Sequence, residues 1–512
     1  VTWADLQAAL GGHGLTPHGD IASPAGATVV TGVAYDSRAV APRHVFVALK
    51  GQRADGASFA RDAIARGAVA IVSEQQPPPD VHVPWLVVND ARLALALLAA
   101  AFYHDPSREM RVIGITGTNG KTTTAYLIAA ILEAAGVRSG LLGTVAYRIG
   151  DETREATRTT PEAPDVQAFL REMVDRGCGA CAMEVSSHAL TLRRVDGIHF
   201  AAAVFTNLTR DHLDFHADMD AYFRAKRRLF EMLPPHAPSL LNADDPRTAA
   251  LVDAGGRAVT YGIDHAADIN PGPLTFSLDG LAFDVRTPRG TVHVRSKLVG
   301  RPNVYNILAA VSTAVALDVP FDAIERGLRT LDGVPGRFQV VSGATDEVTV
   351  VVDYAHTDDA LRNLLETARP LARGRIITVF GCGGDRDRTK RPLMGMVAGR
   401  LSDLVVITSD NPRSEDPGRI IEEIQRGITP HSQRPPSGSN RAERESAQPV
   451  RAIVDRRAAI AKAIELARPG DLVLIAGKGH EKYQVIGDSV LPFDDVAVAR
   501  AALARRTNSG VV

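Results

Sequence analysis

Gly114-Ile115-Thr116-Gly117-Thr118-Asn119-Gly120-Lys121-Thr122-Thr123-Thr124 decides how this chain folds. The apolar pair Val112-Ile113 leads into it, and a helical pattern rich in Ala, Leu and Ile follows as far as Gly136. Strand, glycine loop, Lys-Thr and helix, in that order, make a cradle for nucleotide phosphates. Small residues let backbone N–H groups approach phosphate oxygens. The helix N-terminus adds positive dipole, Lys121 adds a charge, and Thr122 can reach Mg²⁺. The generic pattern puts a glycine where this chain has Ile115, with Gly114 and Gly117 on either side, so the loop is a variant. A glycine turn carrying a surface lysine is the competing reading, and the flanking strand and helix argue against it.

Working outward, 512 residues give a length prior of about three domains. Hydrophobic residues at 45% and charged ones at 23% describe an ordinary globular composition. A formal net charge of −1 offers no electrostatic case for nucleic acid or a membrane surface. The longest apolar runs, 198–205 and 93–102, are too short or too interrupted to span a bilayer. No basic segment followed by an apolar core opens the chain, so the expected location is the cytoplasm. Cys178 and Cys181 form a C-x-x-C without a second ligand pair or a thioredoxin-like context, which favours structural burial over redox or zinc chemistry.

Residues 1–107 are expected to form a small α/β domain, with strands at 28–33, 44–49, 68–72 and 85–88 and a helix at 93–102 that Asp90 caps. Residues 108–336 start with the phosphate loop, then alternate apolar runs with helical patterns, which predicts a central, mostly parallel sheet covered on both faces. Gly and Pro cluster in 331–336, a candidate hinge. Residues 337–512 alternate again, in a Rossmann-like manner, with strands expected at 349–352, 375–380, 404–408 and 472–476. Each runs into a polar loop, and open α/β sheets bind ligands at the C-terminal ends of their strands. Residues 430–449 lack apolar periodicity and read as a mobile loop.

Three further stretches carry chemistry. Glu184, ending an apolar strand, can face the nucleotide site and hold Mg²⁺. His212 and His216 have the spacing of a zinc pair, but Leu213 stands where a metalloprotease needs Glu; one His assisting a second Mg²⁺ is the better fit. Lys226, in Ala221-Tyr222-Phe223-Arg224-Ala225-Lys226, reads by itself as part of a basic helix face.

Taken together, Gly117–Thr123, Glu184-Val185-Ser186-Ser187-His188, Asp211-His212-Leu213-Asp214-Phe215-His216 and Tyr222-Phe223-x-Ala225-Lys226 resemble the Mur ligase family. Gly300-x-x-Asn303-x-x-Asn306-x-x-Ala309-Ala310, Pro335-Gly336-Arg337-Phe338 and Asp353-Tyr354-Ala355-His356 extend the resemblance, in order, through all three expected domains. The resemblance implies an ATP-dependent, amide-forming ligase that builds the peptide stem of bacterial cell-wall precursors. Asp410-Asn411-Pro412-Arg413 is similar to the members that add meso-diaminopimelate, where the Arg grips the acceptor's distal carboxylate. The chemistry agrees, because diaminopimelate is lysine plus a carboxylate and guanidinium binds carboxylate in a bidentate fork.

The resemblance also implies the remaining contacts. ATP is expected at Gly117, Thr118, Asn119, Gly120, Lys121, Thr122, Thr123, Asn303, Arg337 and Asp353. The UDP-muramoyl-dipeptide is expected at Ser37, Gln52, Arg53, Ala54, Thr159, Thr160, Ser186 and Arg194. Diaminopimelate is expected at Arg386, Asp410, Asn411, Pro412, Arg413, Gly477 and Glu481. Lys226 matches a lysine that CO₂ converts to a carbamate, so that Mg²⁺ has Thr122, Glu184, His212 and carbamylated Lys226 as ligands. The catalytic set is then Lys121, Glu184, His212 and Lys226, in a chain expected to act as a monomer on small molecules. Three positions depart from the family pattern: Arg158 for Asn, Leu192 for Gln and Asp358 for Pro. A lysine-adding relative, a folylpolyglutamate synthase and a non-catalytic precursor sensor are the alternatives. Arg413, the first-domain motifs and the intact catalytic set respectively argue against them.

Overall fold

The computed structural model describes residues 1–11, 15, 27–51, 55–343, 345–428 and 450–509. Gln52, Arg53 and Ala54 lie outside the described residues, as does the loop expected at 430–449.

The first unit is a four-stranded parallel sheet, Gly32–Ala34, His44–Ala48, Ala70–Ser73 and Trp85–Val87, paired in chain order. Its first strand is shorter than 28–33 because residues 29–31 bond elsewhere: Val29 bridges Thr2, Val30 N–H donates to Val1 and Thr31 N–H to Arg43. Helix Ala91–Phe102 starts where Asp90 accepts from the Leu93 N–H at 2.9 Å, the cap expected of it. Its Leu95 and Leu98 pack with Trp3, Leu6, Val45 and Val72.

The central sheet has eight strands. Arg257–Tyr261, Pro238–Asn242, Phe200–Phe205, Arg111–Thr116, Ala180–Glu184 and Ser139–Leu142 are parallel neighbours in that order. Ala146–Ile149 and Glu152–Glu155 extend it antiparallel. Helices Lys121–Ala134 and Arg301–Ala316 cover one face, and Ala163–Asp175 and Met219–Glu231 the other. Ile115 is fully buried inside Arg111–Thr116, paired with Glu184 and Val204. The variant loop thus has a simple cause: the strand runs through the place of the generic glycine, and the turn starts only at Gly117.

Not foreseen from the sequence is a small antiparallel sheet in the same region, Asn270–Pro271, Thr275–Ser277, Gly280–Thr287 and Gly290–Ser296. Its long hairpin alternates buried and exposed residues, and the buried Phe283, Val285, Val292 and Val294 pack into the core beneath helix Phe321–Thr330.

The last unit is a six-stranded sheet ordered Gln339–Val340, Thr349–Asp353, Leu472–Ala476, Ile376–Phe380, Leu404–Ile407 and Val450–Ala452, parallel except for the first strand. Helices bury both faces. The final motif-bearing strand inserts between two earlier ones. That crossover brings the loops after Asp353, Phe380, Ile407 and Ala476 out at one edge. Cys178, Cys181 and Cys382 are free and buried, and burial pushes all three thiols up from their ordinary range. Among the described residues no helix is long and apolar enough to cross a membrane.

Candidate active site

The phosphate loop leaves the middle of the central sheet and turns at two tightly packed glycines of positive φ. Gly117 has φ +147°, and a Cβ there would sit 1.9 Å from Thr206 Oγ1. Gly120 has φ +88°, and a Cβ would sit 2.4 Å from Asn306 Oδ1. Asn119 N–H donates to Asn207 Oδ1 at 2.9 Å, and Thr206 Oγ1 donates to Asn119 O at 2.6 Å, so the neighbouring strand's loop braces the turn. Lys121 opens the helix and folds its ammonium back onto Gly117 O (3.0 Å) and Thr118 O (2.8 Å). Burial lowers its pKa, while Glu184 and Asp211 pull the other way.

Lys121, Thr122, Glu184 and His212 line one cleft of about 860 Å³. Glu184 is almost fully buried, and its carboxylate accepts from Thr144 N–H at 2.8 Å and Thr144 Oγ1 at 3.0 Å. His212 sits in a left-handed turn at φ +54°. Burial chiefly holds its imidazole below the ordinary value, so it is neutral near pH 7 with a lone pair to offer. His216, also lowered by burial, to about 4, points to Ser187 Oγ at 2.9 Å, which gives it a different task from His212. Among the described residues no group of three or more His, Cys, Asp or Glu side chains is arranged to hold a metal. Thr122, Glu184 and His212, which share the cleft, offer a hydroxyl, a carboxylate and a neutral imidazole. That mixed set suits a hard cation that also takes phosphate and water oxygens.

Lys226 lies on the inner face of helix Met219–Glu231, fully buried. Its Nζ donates to Gly117 O at 2.8 Å and stands 4.4 Å from the Tyr222 ring centroid. Burial, then the Lys121 charge, pushes its pKa well below that of an ordinary lysine. A neutral amine is the form to which CO₂ adds, so the residue present fits a carbamate. The basic-face interpretation fails for Lys226, whose helix turns it inward.

A second group joins Glu184 from the side. Thr159 Oγ1 and Thr144 Oγ1 lie 3.0 Å apart, Thr160 Oγ1 donates to Glu184 O at 2.8 Å, and Ser186 N–H donates to Thr160 Oγ1 at 3.1 Å. Arg194 donates to Thr160 O at 3.1 Å and pairs with Glu162 at 2.7 Å. Arg158 also pairs with Glu162, at 2.6 Å. Thr159, Thr160, Ser186 and Arg194 are therefore contiguous with Glu184. Leu192 ends the short helix Ser187–Thr191. Ser37 sits in the first unit, outside the cleft lining.

The last unit contributes its sheet-edge loops. Arg337 donates to Thr122 Oγ1 at 3.1 Å, and Asp359 accepts from Asn119 Nδ2 at 3.1 Å, so this unit rests directly on the phosphate loop. Asp353 accepts from Phe338 N–H at 2.6 Å; burial raises its carboxyl, against the pull of Arg337. Asn303 anchors to Val299 O at 2.8 Å and receives Asn306 Nδ2 at 2.9 Å. Asp358 opens helix Asp358–Ala368 after the Thr357 cap, where an acidic residue suits the helix dipole as proline suits its geometry. Arg413 has φ +52°, donates from Nη1 to Gly384 O at 2.7 Å, and has its backbone fixed by Val485 O at 3.1 Å. Arg386 is exposed beside Gly383, on the same rim. Asn411 Nδ2 donates to Glu481 Oε2 at 2.9 Å. Gly477 has φ +118°, and a Cβ would come within 2.7 Å of Asp410 Oδ2. Pro412 passes its carbonyl 1.9 Å from where a Cβ on Gly384 would lie.

Sequence reasoning missed Thr144, which joins Glu184 to Thr159. It missed Asp359, and Arg210, which reaches Asp387 at 3.3 Å across the same seam. None carries a local signal, because each is defined by a partner far away in the chain.

Three family models match this chain: "Mur ligase family, catalytic domain" over 29–103, "Mur ligase middle domain" over 115–314 and "Mur ligase, glutamate ligase domain" over 336–479. The chain is 48% identical over 488 residues to the UDP-N-acetylmuramoyl-L-alanyl-D-glutamate–2,6-diaminopimelate ligase of Geobacter metallireducens, covering 94% of this chain and 95% of that protein. It is 48% identical over 483 residues to the protein of the same name from Solibacter usitatus, covering 93% and 94%. A solved structure of a ligase with that name superposes with TM-score 0.68 at 33% identity, covering 99% of both chains.

Proposed function

Because the chain belongs to the Mur ligase family, we propose that it joins meso-diaminopimelate to the D-Glu γ-carboxylate of UDP-N-acetylmuramoyl-L-Ala-D-Glu at the expense of ATP. It is an ATP-dependent, amide-forming ligase of peptidoglycan precursor synthesis. In this scheme residues 1–107 take the UDP end, 108–336 hold ATP and 337–512 present the acceptor. In this reading the chain works as a monomer on small-molecule substrates, in the cytoplasm.

The observation that supports this best is contiguity. Thr159, Thr160 and Ser186 reach Glu184 through Thr144 and the strand end, and Glu184 shares the cleft with Lys121. A carboxylate held by the first group thus lies beside a γ-phosphate held by the second. Its oxygen attacks phosphorus, the bond to ADP breaks, and an acyl phosphate forms. Lys121 offsets the charge that gathers on the transferred phosphoryl group. Mg²⁺, when bound by Thr122 and Glu184 and by His212 and carbamylated Lys226, supplies further positive charge there. The acceptor amine then attacks the acyl carbon, phosphate leaves, and the nitrogen loses its proton. Arg413, with Arg386 nearby, orients the acceptor's far carboxylate, while Asp410, Asn411, Pro412, Gly477 and Glu481 surround its amino-acid end. Arg337 bridging to Thr122 ties closure of the last unit to the phosphate loop, which keeps water from the acyl phosphate.

Mass analysis of a reaction containing ATP, Mg²⁺, the UDP-dipeptide and diaminopimelate tests this directly. A nucleotide-sugar product one diaminopimelate residue heavier is expected; ATP consumed without that product would overturn it.

A further inference from the structure

Beneath the acceptor loops lies a cation to which the mechanism gives no task. The Lys478 side chain has no exposed surface. Its Nζ donates to Asn411 Oδ1 at 2.8 Å and to Tyr483 O at 2.7 Å. It stands 3.3 Å from Asp410 Oδ1 and 3.5 Å from Glu481 Oε2. One ammonium therefore touches three of the side chains assigned to the acceptor.

We infer that Lys478 is a positioning residue that sets affinity for the acceptor amino acid by holding Asp410, Asn411 and Glu481 in their recognition geometry. The inference rests on residues 410–413 and 477–481 being the acceptor site.

Three physical points carry it. An ammonium has only donors, so it selects the Asn411 face that presents Oδ1, and this turns Nδ2 toward Glu481 Oε2 at 2.9 Å. Asp410 and Glu481 are two carboxylates that share one ammonium. With Lys478 between them they leave one net negative charge for the acceptor's ammonium; without it, like charges repel and one side chain must swing out or take up a proton. Finally, the contact with Tyr483 O ties the loop to the hairpin Tyr483–Ile486 and Ser489–Pro492. Val485 of that hairpin donates to Asn411 Oδ1 at 3.0 Å and accepts from Arg413 N–H at 3.1 Å. The groups for the near and far ends of the acceptor thus hang on one buried cation. The neighbouring buried cations cannot substitute for it: both terminal nitrogens of Arg456 are engaged, with Asp495 at 2.7 Å and with Ala476 O and Ser409 O, and Arg391 pairs with Glu415 and Glu423.

Steady-state kinetics of wild type and Lys478→Met, with each of the three substrates varied in turn, test this. The diaminopimelate KM should rise about 10-fold or more, the scale of losing a charge-assisted hydrogen-bond set. KM for ATP and for the UDP-dipeptide should stay within about 2-fold, and kcat at saturating diaminopimelate should be largely kept. A variant that raises all three KM values equally, or lowers kcat alone, would overturn the inference. Should Lys478→Met fail to fold, as a melting curve would reveal, Lys478→Arg replaces it. That variant keeps the charge but misplaces it, so it should raise the diaminopimelate KM selectively and by less; an unchanged KM would overturn the inference. Wild-type protein inactive with diaminopimelate would instead remove the acceptor assignment on which it rests.

Discussion

Lys226 Nζ donates to Gly117 O at 2.8 Å, so a buried amine on one helix touches the turn that starts the phosphate loop. The same carbonyl accepts from Lys121 Nζ at 3.0 Å. Two lysine nitrogens share one oxygen, and the Lys121 charge adds to burial in keeping the Lys226 amine from holding a proton. Converting one amine to a carbamate would remove that conflict and reverse its sign. Lys226→Ala is therefore expected to cut phosphate release by on the order of 10²–10³-fold, the scale of losing one charge-stabilising group at a transferring phosphoryl. Bicarbonate with a short-chain acid should restore part of it. An alanine variant with wild-type turnover would take Lys226 out of the mechanism.

Gly117→Ala tests whether the turn itself is required. The substituted backbone would keep an unfavourable φ of +147° with its methyl 1.9 Å from Thr206 Oγ1. We expect a loss of about 1–3 kcal/mol in stability from the strain and at least a tenfold weaker nucleotide affinity. Urea unfolding and a nucleotide titration measure the two effects separately.

Arg413 should matter to one substrate only. Its guanidinium touches Gly384 O, and Arg413 is not among the residues that line the phosphate-loop cleft. Arg413→Ala should raise the diaminopimelate KM by about 10–100-fold, equivalent to the 1.5–3 kcal/mol of hydrogen bonds to a charged group, with the ATP KM unchanged. Equal effects on both would mean that the residue shapes the fold of the rim.

Asp244 predicts a pH dependence. Burial alone would raise its carboxyl, but the N–H groups of Asp264 and Ile263, the Tyr305 hydroxyl and His265 together hold it at about 2 against an ordinary 3.8. A depressed carboxylate stabilises the fold above its unfolded pKa, and that contribution is lost as pH falls through the folded value. Asp244→Asn should cost about 2 kcal/mol at pH 7. The gap between variant and wild type should close as pH drops from about 4 to 2. Denaturant unfolding at several pH values reads it, and a gap that persists at pH 2 would contradict it.

Legibility in the sequence followed how local each cause is. The phosphate loop, the Asp90 cap and the strand Leu472–Ala476 were readable because glycine, capping chemistry and an apolar run act within a few residues. Ile115 marks the loop as a variant in the sequence, and the cause, a strand that runs on to Thr116, lies in the sheet pairing. The sheet formed by Asn270–Pro271 through Gly290–Ser296 went unread although its long strands alternate, because its outward positions mix Ala282, Gly290 and Thr291 with Asp284, Arg286, His293 and Arg295. Lys226 showed the limit most clearly. Its neighbours in sequence are basic and partly exposed, and only the helix's rotation against the central sheet turns it inward. Resemblance to a family supplied that residue; its own surroundings in the chain did not. Thr144 had no local signal, since what defines it is a carboxylate many residues away.

The acceptor assignment is tested most directly by phosphate release with ATP, Mg²⁺ and UDP-N-acetylmuramoyl-L-Ala-D-Glu, supplying diaminopimelate, lysine or ornithine in turn. Arg413 at the rim predicts that turnover is strongest with diaminopimelate, the one acceptor of the three with a distal carboxylate. Strongest release with lysine would contradict it.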